Sequence, residues 1–118
     1  GLPKRSWLHV EDCVEAILAI VDKGENNQIY NVGGNDELRN IDVAKMIVCS
    51  YNNQNCEDFE NKFNIDEVFD LSYKRPGQDV KYAINDDKIK QDLGFKHKYK
   101  MKSSINKIVE YYKSTFRW

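Results

Sequence analysis

Apolar residues recur at helical spacing in several stretches of the chain, separated by short apolar runs and polar turns. The first stretch follows Glu11-Asp12, which would supply a helix cap and a first-turn acid, and the helix should end at Gly24. Its apolar face comprises Val14, Ile17, Leu18 and Val21. The same spacing predicts a second helix, with the apolar face Ala44, Ile47, Val48 and Tyr51.

Two further helices are predicted in the last third of the chain. Asn85-Asp86-Asp87 should cap a short helix that ends at Gly94, and Phe95 should fold back on Ile89 as a hydrophobic contact that terminates it. The final helix carries an apolar stripe formed by Met101, Ile105, Ile108, Val109, Tyr112 and Phe116.

Short apolar runs predict strands at residues 7–10, 28–32 and 68–73, and residues 80–84 are also strand-like. His9 would lie on the first strand as a partly buried structural residue. Residues 52–64 are dominated by Asn, Asp, Glu and Lys, which predicts a variable polar surface loop. The pattern as a whole predicts one mixed α/β domain over residues 1–118.

Composition and charge exclude several functional classes. The 18 basic and 19 acidic residues give a net charge of -1, which provides no field for gripping a nucleic-acid backbone. No apolar run approaches the length of a membrane span, and no signal peptide opens the chain. Cys13, Cys49 and Cys56 lack metal-ligand spacing, and the first two fall in predicted helices as small core residues. We therefore expect no nucleic acid, membrane or metal as partner, and a cytoplasmic location.

One turn suggests an anion site. In Arg75-Pro76-Gly77 a stiff backbone would hold a guanidinium at the surface, where its five donors can clamp a phosphate. Taken alone, this residue is more simply explained as a solvated turn arginine. Three other blocks of sequence change that assessment.

Four blocks occur in an order that resembles the carboxy-terminal part of the nucleotide-sugar 4,6-dehydratases, most of all the dTDP-glucose 4,6-dehydratases. They are residues 5–12, 30–40, 74–84 and 108–112. These enzymes belong to the extended short-chain dehydrogenase/reductase family. The resemblance implies an α/β, mixed C-terminal substrate-binding segment that lacks the N-terminal Rossmann cofactor-binding part.

The resemblance implies that Arg5, Asn40, Arg75 and Gln78 bind the nucleotide sugar. Considered without the resemblance, Asn40 is also a good N-cap for the second helix. Bacterial dTDP-glucose dehydratases commonly carry a histidine where this chain has Gln78, and glutamine cannot titrate near neutrality. A UDP-glucose 4,6-dehydratase is therefore an alternative.

The catalytic and cofactor-binding residues are expected to lie outside these 118 residues. The chain has no Gly-x-Gly-x-x-Gly turn, and the family's Tyr-x-x-x-Lys pair is missing, since Tyr99 to Lys102 is one residue short. The implied full-length enzyme would use NAD to convert dTDP-glucose to dTDP-4-keto-6-deoxyglucose and water, and would form a homodimer through the Rossmann portion. The present chain alone should be inactive and bind no NAD.

Two more functions are compatible with the sequence. A nucleotide-sugar epimerase or decarboxylase would share the strand and the Asp-led helix near the start of the chain, but would not usually have the Arg-Pro-Gly loop followed by Tyr-Ala-Ile. A catalytically silent interaction module derived from such an enzyme belongs to a different functional class.

Overall fold

The computed structural model describes residues 3–115, which form a mixed α/β arrangement and confirm the predicted fold class. The elements in chain order are β1 (Lys4–Trp7), α1 (Val10–Lys23), β2 (Asp36–Arg39), α2 (Asn40–Tyr51), α3 (Phe59–Lys62), α4 (Ile65–Val68), β3 (Lys81–Tyr82), α5 (Asp87–Leu93) and α6 (Met101–Thr115). None of the helices within the described residues has the length and apolar character that a membrane span requires.

The three strands form one small sheet in the order β2-β1-β3. β1 runs antiparallel to β2 and parallel to β3, so that Arg5 is paired with Leu38 on one side and Tyr82 on the other. Because of these directions, the start of β1, the end of β2 and the start of β3 lie at the same edge of the sheet. We call this edge the β1-start edge.

The main core lies between α1 and α5. Ala16, Ile89, Leu93 and Phe95 are buried together there, with partly buried apolar residues packed around them. Gly94 ends α5 in the left-handed conformation (φ 69°), and the Phe95 N–H lies 3.5 Å from the Ile89 carbonyl oxygen. The predicted bounds of α5 and its hydrophobic termination are therefore confirmed.

A second contact joins α2 to α6, where Val43, Cys49, Ile105 and Val109 are buried. The predicted final helix is confirmed, although Phe116 lies outside the described residues. The predicted face of α2 is wrong at Ile47 and Tyr51, which are exposed. The spacing of apolar residues gives the period of a helix but not the position of its neighbours, and those neighbours decide which side is buried.

The strand predictions are wrong in large part. β1 ends at Trp7 and Val10 already belongs to α1, while residues 69–73 follow α4 without forming a strand. Residues 28–32 belong to no helix or strand, and no backbone hydrogen bond within the described part of the chain joins them to a strand. A strand exists only through pairing, which an apolar run cannot guarantee. Residues 80–84 retain two strand residues, as β3.

The predicted first helix is confirmed, with Gly24 directly after its last residue, but its apolar face is not buried by the described chain. The four residues of that face are between 48% and 79% exposed: Val14, Ile17, Leu18 and Val21. Asp12 and Ala16 are buried instead. We call these four residues the open face of α1.

The predicted polar loop is mostly exposed but contains ordered structure. Phe59, the first residue of α3, is only 2% exposed. Its ring centroid lies 4.9 Å from that of Phe63 and 5.9 Å from that of Phe69. The predicted surface loop at residues 52–64 is therefore wrong for α3. Phe59 and Phe63, within the polar segment, pack with Phe69, which follows it, and this aromatic cluster orders the segment.

Candidate functional site

Arg5 joins the first strand to the loop that precedes the third. Its Nη1 donates hydrogen bonds to the carbonyl oxygens of Lys4, at 2.8 Å, and Asp79, at 3.1 Å. Because Asp79 lies four residues after Arg75, this contact brings the Arg-Pro-Gly loop to the β1-start edge. No carboxylate takes part in it.

Asn40 lies at the same edge, as the first residue of α2. Its backbone N–H donates to the Pro3 carbonyl oxygen at 3.0 Å. Its side-chain oxygen is buried and has no hydrogen-bond partner within the described residues. The predicted N-cap role of Asn40 is wrong, because Arg39 occupies the cap position and the Asn40 side chain does not bind the helix backbone.

Arg75 and Gln78 lie in the loop before β3. Arg75 is exposed, Gln78 is partly buried, and Gly77 between them has a φ of 69°, which the predicted Pro-Gly turn requires. The structure thus brings the loop next to Arg5 through Asp79, while the Arg75 side chain itself extends into solvent.

The cations at the β1-start edge differ in whether they have an acidic partner. Arg39 makes two hydrogen bonds to the Asp42 carboxylate, at 2.7 and 2.8 Å, and Lys81 lies 2.9 Å from Glu37. The Arg39 guanidinium accordingly lowers the pKa of Asp42, and Asp42 raises the pKa of Arg39.

No carboxylate within residues 3–115 forms an ion pair with Arg5 or Arg75. Arg5 at this edge and Arg75 in the adjoining loop therefore have no counter-ion among the described residues. Guanidinium groups pair well with phosphate oxygens, so the arrangement is suited to a ligand that carries phosphate.

Asp12 is a structural residue whose role was not apparent from the sequence. It is fully buried, and its carboxylate accepts hydrogen bonds from the backbone N–H groups of Lys98, at 3.0 Å, and Tyr99, at 3.1 Å. The cap predicted from Glu11-Asp12 is wrong, because the His9 side chain accepts the capping hydrogen bond from the Glu11 N–H at 3.1 Å, but both acids lie in the first turn of α1, as predicted for a first-turn acid. The position of Asp12 four residues before Ala16, on the same helix face, was the available signal.

The two histidines also have structural contacts. His9 is partly buried, as predicted, but it caps α1 instead of lying on a strand, and its ring stacks on Tyr99 at 4.1 Å. His97 Nε2 lies 2.7 Å from the Gly33 carbonyl oxygen and 3.6 Å from Asp86 Oδ2. Burial acts to raise the pKa of Asp86, but Lys90, His97 and the Gly33 N–H together hold it below its usual value.

The glycine pair at 33–34 is packed tightly against β1. The Gly34 N–H donates to Ser6 Oγ at 2.7 Å, and a Cβ atom at position 34 would lie 1.9 Å from the Trp7 carbonyl oxygen. Only glycine fits there. Together with the contact between His97 Nε2 and the Gly33 carbonyl oxygen, these contacts hold β1, the strand that carries Arg5, in place.

The fold and the site define a mixed α/β segment that presents the guanidinium of Arg5, without a carboxylate partner, at one sheet edge, with the loop that carries Arg75 attached to that edge through Asp79. Comparison with known proteins identifies its class. Residues 1–108 match the model of the family described as GDP-mannose 4,6 dehydratase. The chain therefore belongs to this family of nucleotide-sugar dehydratases, which confirms the resemblance seen in its sequence.

The similar proteins are dTDP-glucose 4,6-dehydratases. One from Escherichia coli is 35% identical over 114 residues, which cover 97% of this chain and 32% of that protein. The mouse dTDP-D-glucose 4,6-dehydratase is 36% identical over 98% of this chain and 31% of its own length. A crystal structure of dTDP-glucose 4,6-dehydratase from Bacillus anthracis in complex with NAD superimposes on the whole chain and 34% of its own, with a TM-score of 0.77 and 29% identity. The chain thus spans about a third of the length of these relatives.

Proposed function

We propose that the chain is the nucleotide-sugar-binding part of an NAD-dependent dTDP-glucose 4,6-dehydratase. The observation that carries this proposal is the contact between Arg5 and Asp79, which joins β1 to the Arg-Pro-Gly loop. Asn40, directly after β2, lies at the same edge through its hydrogen bond to Pro3. Arg5, Asn40 and Asp79, which are far apart in the sequence, therefore lie at one edge of the sheet, which supports the proposal.

The chemistry of these side chains suits a nucleoside diphosphate. Arg5 and Arg75 would contact the diphosphate oxygens, because neither has a carboxylate partner within the described residues. A hydroxyl or N–H of the nucleoside would supply the donor that the buried Asn40 oxygen lacks. Gln78 would add a neutral hydrogen bond.

The cofactor and the acid/base chemistry belong to other residues of the proposed enzyme. These 118 residues contain no glycine-rich turn that could hold the phosphates of NAD, so they do not fit that cofactor. In this proposal the chain holds the substrate, and a Rossmann portion supplies the NAD site, the catalytic pair and the contacts of a homodimer. The relatives are about three times as long as this chain, which leaves room for such a portion.

Two surfaces of the chain suit contact with that portion. The open face of α1 presents four apolar residues to solvent, and the segment 28–32 has no paired strand among the described residues. Ile29, within this segment, is 79% exposed. Apolar helix faces and unpaired backbone gain stability when a sheet and its helices cover them.

A UDP-glucose 4,6-dehydratase is the second candidate, and Gln78 is the observation that favours it. A partly buried neutral amide at this position offers the ligand a hydrogen bond but no charge. The difference between a neutral glutamine and a titratable histidine at position 78 bears on the choice of nucleotide and not on the type of reaction.

Turnover by the purified full-length protein tests the proposal. With NAD present, dTDP-glucose should lose one water and yield dTDP-4-keto-6-deoxyglucose, detected by mass spectrometry, and the ratio of kcat/KM for dTDP-glucose and UDP-glucose then decides between the two candidates. The 118-residue chain alone should give no turnover and no heat of NAD binding in calorimetry. Turnover by this chain alone, or a full-length protein that converts neither nucleotide, would contradict the proposal.

A further inference from the structure

The exposed loop before β3 is fastened to the sheet at its last residues. The Lys4 N–H donates to the Val80 carbonyl oxygen at 2.8 Å. Arg5 Nη1 donates to the Asp79 carbonyl oxygen at 3.1 Å. Arg75, four residues before Asp79, is exposed and makes no hydrogen bond or ion pair with the described chain. Its position therefore depends on the backbone that joins it to Asp79.

Two residues of the loop determine the course of that backbone. The ring of Pro76 fixes its own φ, and Gly77 has a φ of 69°, the left-handed conformation that the third residue of a type II turn adopts. No backbone hydrogen bond between Arg75 and Gln78 closes the turn within the described residues. The direction of the loop thus depends on the conformation of Gly77 and not on a contact across the turn.

Packing does not require glycine at position 77. A Cβ atom there would meet no atom of the described chain within 4 Å, whereas a Cβ atom at Gly34 would collide with the backbone of Trp7. Residues with a side chain rarely adopt a positive φ, and glycine does so freely. The requirement for glycine at position 77 is therefore conformational.

We infer that Gly77 is a positioning residue for the nucleotide sugar, because its left-handed conformation directs the Arg75 guanidinium toward the diphosphate that the β1-start edge binds. This inference rests on the proposed function, in which Arg75 contacts the diphosphate. A residue at position 77 that avoids the left-handed region turns Arg75 away. The ligand must then select a minor conformer of the loop, and the apparent Kd rises by the inverse of its population.

Two substitutions of similar size separate the conformation of position 77 from the presence of a side chain. Asparagine tolerates the left-handed conformation, whereas β-branched valine does not. The measurement is calorimetry of the full-length protein with dTDP or UDP, whichever the wild type binds more tightly, because neither carries a sugar that can react. Gly77→Val should raise Kd about 5- to 30-fold, and Gly77→Asn should stay within about threefold of the wild type. Both variants should keep a Tm close to that of the wild type, because position 77 is exposed.

Gly94 is a matched control within the same chain. It also has a φ of 69°, and a Cβ atom there would also meet no described atom within 4 Å, but it ends α5. Gly94→Val should lower the Tm, because it strains the helix terminus, and should leave the Kd for the nucleotide unchanged. The loss of binding would then depend on where the left-handed residue lies.

A double-mutant comparison tests whether Arg75 is the group that Gly77 positions. In an Arg75→Ala protein, Gly77→Val should change Kd by less than about twofold, because no guanidinium remains to be directed. A purely structural role of Gly77 would weaken binding equally with and without the Arg75 side chain.

Three results would overturn the inference and leave the proposed function standing. They are a Gly77→Val protein that binds the nucleotide as tightly as the wild type, a Gly77→Asn protein that binds as weakly as Gly77→Val, and equal weakening by Gly77→Val with and without the Arg75 guanidinium. A wild type that binds neither nucleotide, or an Arg75→Ala protein with an unchanged Kd, would overturn the inference and the proposed function together.

Discussion

Single acidic residues hold together elements that are distant in the sequence. Asp12 on α1 accepts hydrogen bonds from two backbone N–H groups of the segment before α6. Asp36 on β2 accepts a hydrogen bond of 2.6 Å from the backbone N–H of Met101, the first residue of α6. A carboxylate at a helix start satisfies an otherwise unpaired N–H and interacts favourably with the helix dipole. These contacts hold the start of α6 in place, and apolar packing on α2 buries Ile105 and Val109 further along the helix.

Asp12→Ala should lower the free energy of unfolding by about 2–3 kcal/mol, because it leaves the partly buried N–H groups of Lys98 and Tyr99 without an acceptor. Urea denaturation of the full-length protein measures the change. Asp22→Ala, at an exposed position of the same helix, is the matched control and should change stability by less than about 0.5 kcal/mol. Equal effects of the two substitutions would show that Asp12 does not anchor the segment.

At the scale of elements, the two sides of α1 differ in what covers them. Its buried side, with Asp12 and Ala16, packs on α5 and binds the segment before α6, while its open face is apolar and unoccupied by the described chain. An amphipathic helix normally buries its apolar side. This arrangement is expected of a helix that another part of the proposed enzyme covers.

Ile17→Glu tests whether the open face of α1 is covered in the full-length protein. There the substitution should lower the free energy of unfolding by about 2 kcal/mol or more, because it places a carboxylate in an apolar contact. Glu15→Gln, an exposed change on the same helix, should be close to neutral. Thermal or urea unfolding gives the comparison, and an Ile17→Glu protein as stable as the wild type would mean that the face stays in solvent.

The four longer helices, α1, α2, α5 and α6, were predictable from the sequence because their signals are local, whereas the four-residue helices α3 and α4 were not predicted. At the start of α5, the Asn85 side chain accepts a hydrogen bond from the Asp87 N–H at 2.9 Å. Gly94 ends α5, as a glycine directly after an apolar helical segment predicts. The strands were not predictable, because β2 and β3 depend on pairing with β1 and the segment 28–32 has no described partner. A strand of two or four residues carries too little pattern to reveal its neighbours.

The candidate site was predictable only as a set of residues. Arg5, Asn40, Arg75 and Gln78 were chosen from a resemblance, and their binding roles stay predictions. Their shared edge depends on the hydrogen bond between Arg5 and the backbone of Asp79, 74 residues away. Spacing along the chain contains no information about such a contact, and neither does it reveal the unpaired oxygen of Asn40.

The whole molecule is open in shape. Its radius of gyration is 17.1 Å, compared with about 13–14 Å expected for a compact domain of this length. Exposed apolar residues occur on α1, in the segment 28–32 and in the long loop before β3. These features agree with a chain that covers about a third of the relatives it matches and completes its packing against the rest of such an enzyme.

The central claim is that the β1-start edge binds the diphosphate of a nucleotide sugar, and calorimetry of dTDP-glucose binding to the full-length protein tests it most directly. Arg75→Ala should weaken binding by about 2–4 kcal/mol, at least ~30-fold in Kd, with little change in Tm, because the exposed side chain supports no packing. Lys74→Ala, which removes the adjacent exposed cation, should change Kd only slightly. An unchanged Kd in Arg75→Ala together with a sharp fall in Tm would contradict the claim and make Arg75 a structural residue.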